Sequence, residues 1–192
     1  MKKIILIFVL ILLSALILTS CGNGDTNREA FSPESGQYKI MLKPDEWSVI
    51  TMSLEQPVNQ FAILHTKSET LLVLNCYNKL ALKTQGVSDI NDFYDYCKTI
   101  ESEDESGGNG QNKKPGELIN VRKKEMSGSA VIAGKRQKFY ANNTDTGNII
   151  NEFIYLETEK YYISVVYGNS TDKFDASQKI ANEVVSHIKT EA

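Results

Sequence analysis

Histidine and cysteine are scarce in this sequence, which has two histidines and three cysteines among 192 residues. Neither His65 nor His187 has a cysteine, an aspartate or another histidine at the next few positions, so the spacing of a local zinc pair is absent. The ligand rhythm of a calcium loop, D-x-[DN]-x-[DN]-G, is missing as well. We therefore predict no metal site and no cofactor.

An excess of positive charge is also absent, because 21 lysines and arginines stand against 24 aspartates and glutamates, for a net charge of -3. This balance argues against nucleic acid as a partner. No glycine-rich turn joins a strand to a helix, which excludes the usual doubly wound nucleotide-binding sheet. Carboxylates are densest in the segment 101–117, where a surface loop is expected rather than the fixed pair that acid-base catalysis needs. We assign no catalytic residue.

Long apolar runs are limited to one, Ile4–Leu18, which follows Lys2 and Lys3. A positive start followed by an apolar stretch is the pattern of an export signal. As a helix, this stretch would reach roughly 22 Å, short of the ~30 Å hydrocarbon core of a bilayer, so a cleaved signal fits better than a permanent membrane span. Residues 1–20 are predicted to be a signal peptide.

The end of this run resembles the bacterial lipobox, because Leu18 and two small residues lead to Cys21. The resemblance implies that a diacylglycerol is attached to Cys21 and that the chain is cut just before it. Two or three acyl chains, palmitate among them, would then hold the protein on the extracytoplasmic face of a bacterial cell membrane. The alternative is an ordinary signal peptide that happens to end near a thiol.

Residues 21–36 are predicted to be a flexible tether, since they are rich in Gly, Asn, Asp, Ser and Pro. From residue 37 onwards the pattern changes to short, alternating β-rich runs separated by turns. Four predicted strands, a helix capped by Ser88, four further strands and a closing helix follow in that order. Helices that follow blocks of strands indicate an α+β domain over 37–190, with a curved antiparallel β-sheet and helices packed on it.

Several stretches of this domain together resemble the PsbP/Mog1-like fold. They are "MLKPDEW", "DINDFYDYCKTI", "AVIAGKRQKFYA", "YLETEKYYISVVYG" and "EVVSHIK". The resemblance implies an α+β binding scaffold, found in photosystem accessory proteins, a nuclear-transport factor and bacterial lipoproteins. It implies no shared reaction, and no catalytic or metal position is carried over.

Cys76 and Cys97 remain once Cys21 is assigned to the lipid. In an exported protein, a strand cysteine facing a helix cysteine could form a disulfide. The alternative is two buried thiols, because Cys97 lies on the apolar face of its helix with Phe93 and Ile100.

Basic residues collect in two neighbouring predicted strands, one with Arg122 and Lys124 and the next with Arg136 and Lys138. If these strands pair, Arg122, Lys124 and Lys138 could form a binding patch for a partner or an anion. The alternative is the ordinary charged surface of a sheet.

Together these features predict a membrane-anchored lipoprotein with a non-catalytic protein-binding or accessory domain. Its partners would be the membrane, through the lipid on Cys21, and a protein. A sensor domain for a small ligand or an anion is the alternative, and a hydrolase is a weaker one.

Overall fold

The computed structural model describes residues 27–33, 37–50, 59–104, 114–143 and 147–190. The predicted signal peptide, the lipidation site Cys21 and residues 105–113 of the predicted loop lie outside the described residues. None of the helices within these ranges combines the length and the hydrophobicity needed to cross a bilayer.

The described residues form ten strands, three α-helices and one short 3-10 helix. In chain order they are β1 (Glu29–Phe31), β2 (Tyr38–Leu42), β3 (Trp47–Ile50), β4 (Asn59–His65), β5 (Thr70–Asn78), α1 (Lys79–Lys83), α2 (Ile90–Asp104), β6 (Lys114–Asn120), the 3-10 helix (Lys123–Glu125), β7 (Ala133–Asn143), β8 (Gly147–Glu157), β9 (Tyr161–Ser170), α3 (Phe174–Ser186) and β10 (Ile188–Thr190).

The strands form two antiparallel sheets rather than the single sheet expected from the sequence. A small sheet has the order β1-β2-β10, and a larger one has the order β3-β4-β5-β9-β8-β7-β6. In the larger sheet β6 is therefore an edge strand, and β7 and β8 form a long hairpin in which Ala133 pairs with Glu157 and Asn143 with Gly147. The α+β class with antiparallel strands and packed helices is confirmed.

Both faces of the larger sheet are buried over its centre, because successive side chains of a strand point to opposite sides. On β8, Ile154 and Leu156 face the core under α3 and the small sheet, whereas Phe153 and Tyr155 face the core under α2. This two-sided burial explains why residues 153–156 of β8, Phe-Ile-Tyr-Leu, are continuously apolar instead of alternating with polar ones.

The two cysteines lie on opposite sides of this sheet and are not bonded to each other. Cys76 is buried in the core under α3, and Cys97 is buried in the core under α2. The sheet itself separates the two thiols, so the disulfide that the sequence allowed is absent from the structure, which contains the two buried thiols of the alternative. Burial raises the pKa of the Cys76 thiol to about 12, which keeps it protonated and unreactive at neutral pH.

Part of the predicted tether belongs to the folded domain. Residues 29–31 pair with β2 as the outer strand of the small sheet. Immediately before them, the Arg28 guanidinium donates to the Met41 carbonyl at 3.1 Å and to the Glu183 carboxylate of α3 at 3.0 Å. Three residues of mixed character give no alternation to recognise, which is why this strand could not be predicted from the sequence.

Candidate functional site

A cleft of about 460 Å³ opens where the β6 edge of the larger sheet meets helix α3. Polar and aromatic side chains from β7, β8, α3 and the 3-10 helix line it, among them Glu125, Arg136, Lys138, Tyr140, Glu152 and Gln178. We refer to this feature as the cleft.

Alternation along β7 brings its side chains into the cleft. Arg136, Lys138 and Tyr140 share one face of the strand because they are separated by two residues each. Gln137, between them, points to the other side, where it accepts a hydrogen bond from the Tyr94 hydroxyl at 2.9 Å. Arg136 and Lys138 therefore meet helix α3.

The floor of the cleft is a buried ion pair between β7 and β8. Arg136 and Glu152 are only 5% and 1% exposed. The Arg136 guanidinium donates from Nε to Oε1 of Glu152 at 3.1 Å and from Nη2 to Oε2 at 2.8 Å. This two-pronged geometry fixes both side chains, since a planar guanidinium fits the two oxygens of a carboxylate.

Further donors complete the surroundings of Glu152. The Tyr167 hydroxyl of β9 donates to Oε2, and Nε2 of Gln178 on α3 lies 3.2 Å from Oε1 and 3.3 Å from Oε2. Burial, followed by the charge of Glu152, raises the pKa of Tyr167 well above its ordinary value. The phenol therefore stays protonated and remains a donor at physiological pH.

Glu125 joins this floor to the rim of the cleft. Its Oε1 accepts from Nη2 of Arg122 at 2.5 Å and lies 3.5 Å from Nη1 of Arg136. Burial acts to raise the pKa of Glu125, but hydrogen bonds from Arg122 and the charge of Arg136 outweigh it and hold this pKa below its ordinary value. The carboxylate is therefore ionised and bridges two arginines.

These properties suit binding better than acid-base catalysis. A general acid acting near neutral pH needs a raised pKa, and the pKa of Glu125 is lowered. Glu152 is almost wholly buried, and its two oxygens are held by Arg136, Tyr167 and Gln178. The floor is therefore rigid, and the charges of Arg136 and Glu152 neutralise each other.

The rim of the cleft carries both basic and apolar side chains. The Arg122 side chain is 66% exposed, and the Lys138 Nζ lies 4.6 Å from the centre of the Phe174 ring. Ile119 and Tyr140 are 47% and 45% exposed, on the neighbouring strands β6 and β7. The rim is therefore the accessible part of the cleft.

The structure brings two of the three predicted patch residues to this rim. Arg122 and Lys138 line the cleft, while Lys124 is exposed on the adjacent 3-10 helix. The sequence predicts that Arg122 and Lys124 lie in a strand. This prediction is wrong, because the chain turns into the 3-10 helix at Lys123. The buried Glu152 was missed, although a carboxylate in the middle of a strand, with Ile149 and Ile150 before it and Phe153 and Ile154 after it, is the signal that could have identified it.

Both histidines have local structural contacts. His65 Nδ1 lies 2.8 Å from the Ser68 hydroxyl, and His187 Nδ1 lies 2.8 Å from the Glu183 carbonyl. Among the described residues no group of three or more histidine, cysteine, aspartate or glutamate side chains could hold a metal ion.

The depressed pKa of Glu125 predicts acid sensitivity. Its contribution to stability is complete above the ordinary pKa of 4.5 and is lost as the pH falls through the lower folded-state value. We expect the free energy of unfolding, measured by urea denaturation from about pH 6 downwards, to fall less steeply with acid in Glu125→Gln. Glu117→Gln, at an exposed position of the same cleft, should keep the wild-type slope. Equal slopes in all three proteins would contradict the assignment.

Comparison with known proteins identifies the fold. No family model and no curated protein sequence matches the chain. The solution structure of cyanobacterial PsbP (CyanoP) from Synechocystis sp. PCC 6803 matches with a TM-score of 0.55 and 10% identity, over 88% of this chain and 96% of that one. The crystal structure of LpqN, involved in cell envelope biogenesis of Mycobacterium tuberculosis, has a TM-score of 0.46 at 10% identity, over 85% and 91% of the two chains. The match to CyanoP confirms the PsbP-like fold.

Proposed function

We propose that this chain is a lipid-anchored, extracytoplasmic binding protein that holds a protein partner at the bacterial membrane through the cleft. The observation that carries the proposal is the cleft itself, in which a fixed charged floor lies beneath an exposed rim. Exposed aromatic and aliphatic side chains beside arginine are typical of protein-binding surfaces. No chemical reaction is assigned to the site.

The pairing of Arg136 favours a protein over a small anion. A small anion entering the floor would have to compete with Glu125 and Glu152 for the same guanidinium. A protein segment needs only the rim, where Ile119 and Tyr140 offer apolar surface. The rim therefore supports the protein-binding interpretation.

The proposed anchor would keep the folded domain close to the membrane. If Cys21 carries the lipid, six residues, 22–27, separate it from Arg28, which is bonded to β2 and α3. Fully extended, they span at most about 21 Å. The folded domain would then be confined to the membrane surface.

Site-specific cross-linking in the intact bacterium would test this proposal. A photoreactive phenylalanine would replace Ile119 or Tyr140 in the full chain, with Leu80 as the control because it is 78% exposed on α1. We expect one cross-linked product of defined mass from both rim positions and none from Leu80. Identical products from all three positions would overturn the assignment of the cleft.

Lipid labelling tests the anchor separately. A labelled palmitate precursor should enter the wild-type chain, and Cys21→Ala should lose the label because the thiol that carries the lipid is gone. Persistent labelling of Cys21→Ala would show that the lipid is attached elsewhere.

A further inference from the structure

Positive charge is concentrated around the cleft in an otherwise acidic chain. Residues 114–138 contain seven lysines and arginines and two glutamates, a net charge of +5. The whole chain has a net charge of -3, so its remaining residues carry -8. Such an asymmetry attracts acidic partners to one side of a protein and orients them before contact.

Most of these cations are accessible at the cleft. Arg122, Lys123 and Lys124 are exposed beside it, and Lys138 lines it. Lys114 is exposed on β6 and pairs in register with Tyr140 of the rim. We refer to these five residues as the basic rim.

The carboxylates of the cleft offset only part of the charge of the basic rim. Arg136 is neutralised by Glu152, and Glu125 is paired with Arg122, which leaves the net positive charge on the four lysines of the basic rim. Of the two carboxylates in the segment 114–138, Glu125 is buried and only Glu117 is exposed. A ligand approaching from solvent therefore meets mainly ammonium and guanidinium groups.

Apolar side chains next to the basic rim distinguish a peptide from a simple polyanion. Ile119 and Tyr140 offer a hydrophobic contact that phosphate or sulfate chains cannot use. The pairing of β6 with β7 shifts register between Pro115 and Leu118. This irregularity, together with the missing N–H of Pro115, makes β6 a poor edge for pairing with an added strand. A peptide would therefore be recognised mainly through its side chains.

We propose that the cleft recognises an acidic peptide segment that carries an apolar residue, with glutamates or aspartates on the basic rim and the apolar side chain against Ile119 and Tyr140. This inference rests on the proposed function and names the chemical class of the partner segment.

Binding of a defined peptide would test the inference on the full, lipidated chain in non-ionic detergent. The probe is a fluorescent peptide of alternating Glu and Leu, and its matched control has Gln in place of Glu. By fluorescence anisotropy we expect the Glu peptide to bind, the Gln peptide to bind at least about tenfold more weakly, and the affinity to fall as salt rises from about 50 to 200 mM.

Two charge-reversal variants locate the site. Arg122→Glu/Lys138→Glu should weaken binding of the Glu peptide about tenfold or more. Lys83→Glu/Lys98→Glu lowers the net charge equally but lies on α1 and α2, and it should stay within about twofold of wild type. Lys123→Glu/Lys124→Glu, which leaves the Arg122–Glu125 pair intact, should also weaken binding, so the result does not depend on one variant folding.

Different outcomes separate this inference from the proposed function. Equal binding of the Glu and Gln peptides, equal loss in the α1/α2 control variant, or equally tight binding of polyphosphate would overturn the acidic peptide. If the rim cross-links persist in any of these cases, the proposed function stands without it. Loss of the rim cross-links as well would overturn both.

Discussion

Replacing Arg136 by methionine is expected to lower the free energy of unfolding by about 3–5 kcal/mol, because it leaves a buried carboxylate without its counter-charge. Glu152 is 1% exposed and would keep only Tyr167 and Gln178 as donors. Glu125 would lose a positive neighbour at 3.5 Å as well. Since small domains are stable by only about 5–15 kcal/mol, the loss should be visible in urea denaturation.

Two further variants show whether the loss comes from the unpaired charge. Arg136→Met/Glu152→Leu should recover part of the stability, because the double replacement removes the uncompensated carboxylate. Lys138→Met removes a cation from the same strand, where it lies over the Phe174 ring, and should cost about 1 kcal/mol or less. If Arg136→Met is no less stable than Lys138→Met, the prediction is wrong, and hydrogen bonds from Tyr167 and Gln178 are enough to stabilise the buried Glu152 carboxylate.

The regular elements of the two-sided sheet could be predicted from their local pattern. The sequence predicts strands over 38–42 and 70–78, and β2 and β5 have these bounds in the structure. Each is short, rich in branched or aromatic residues and bounded by turn signals, so local preference and tertiary pairing agree.

Elements set by long-range pairing could not be predicted in this way. Helix α3 ends at Ser186, and Ile188 then pairs with Ile40 at the far end of the chain. Periodicity alone extends the helix to about residue 189, because Ile188 continues its apolar face. The pairing with β2 competes with that local signal and takes precedence.

The same distinction applies to the cleft. Its basic residues are visible in the sequence, but the carboxylate that binds Arg136 is defined by the register of the β7–β8 hairpin. In that register Glu152 lies opposite Lys138, two residues along from Arg136 on the same face. Register sets which charges become buried neighbours, and no local composition contains it. Arg122 and Lys138 were therefore visible as candidates in the sequence, whereas the apolar part of the rim and the buried floor required the structure.

Replacing Phe93 by alanine is expected to destabilise the protein by about 3–5 kcal/mol, because it opens a cavity where α2 packs on the sheet. Phe93 is fully buried. Its ring stacks on Tyr162 at 4.7 Å and meets the edge of Tyr77 at 5.3 Å. Phe93→Leu keeps most of the volume and should lose less than about 1.5 kcal/mol. Urea denaturation of both variants gives the comparison.

A matched variant in the other core shows whether the two sides of the sheet unfold separately. Phe61 is 6% exposed and belongs to the core under α3. Amide hydrogen exchange should show loss of protection mainly in α2 for Phe93→Ala and mainly in β2 and β4 for Phe61→Ala, because regions with few shared contacts open independently. The central strands β8 and β9 contribute to both cores and should stay the best protected in each variant. Equal loss of protection in α2 and β2 in both variants would contradict this prediction. It would mean that the two cores unfold together as one cooperative unit.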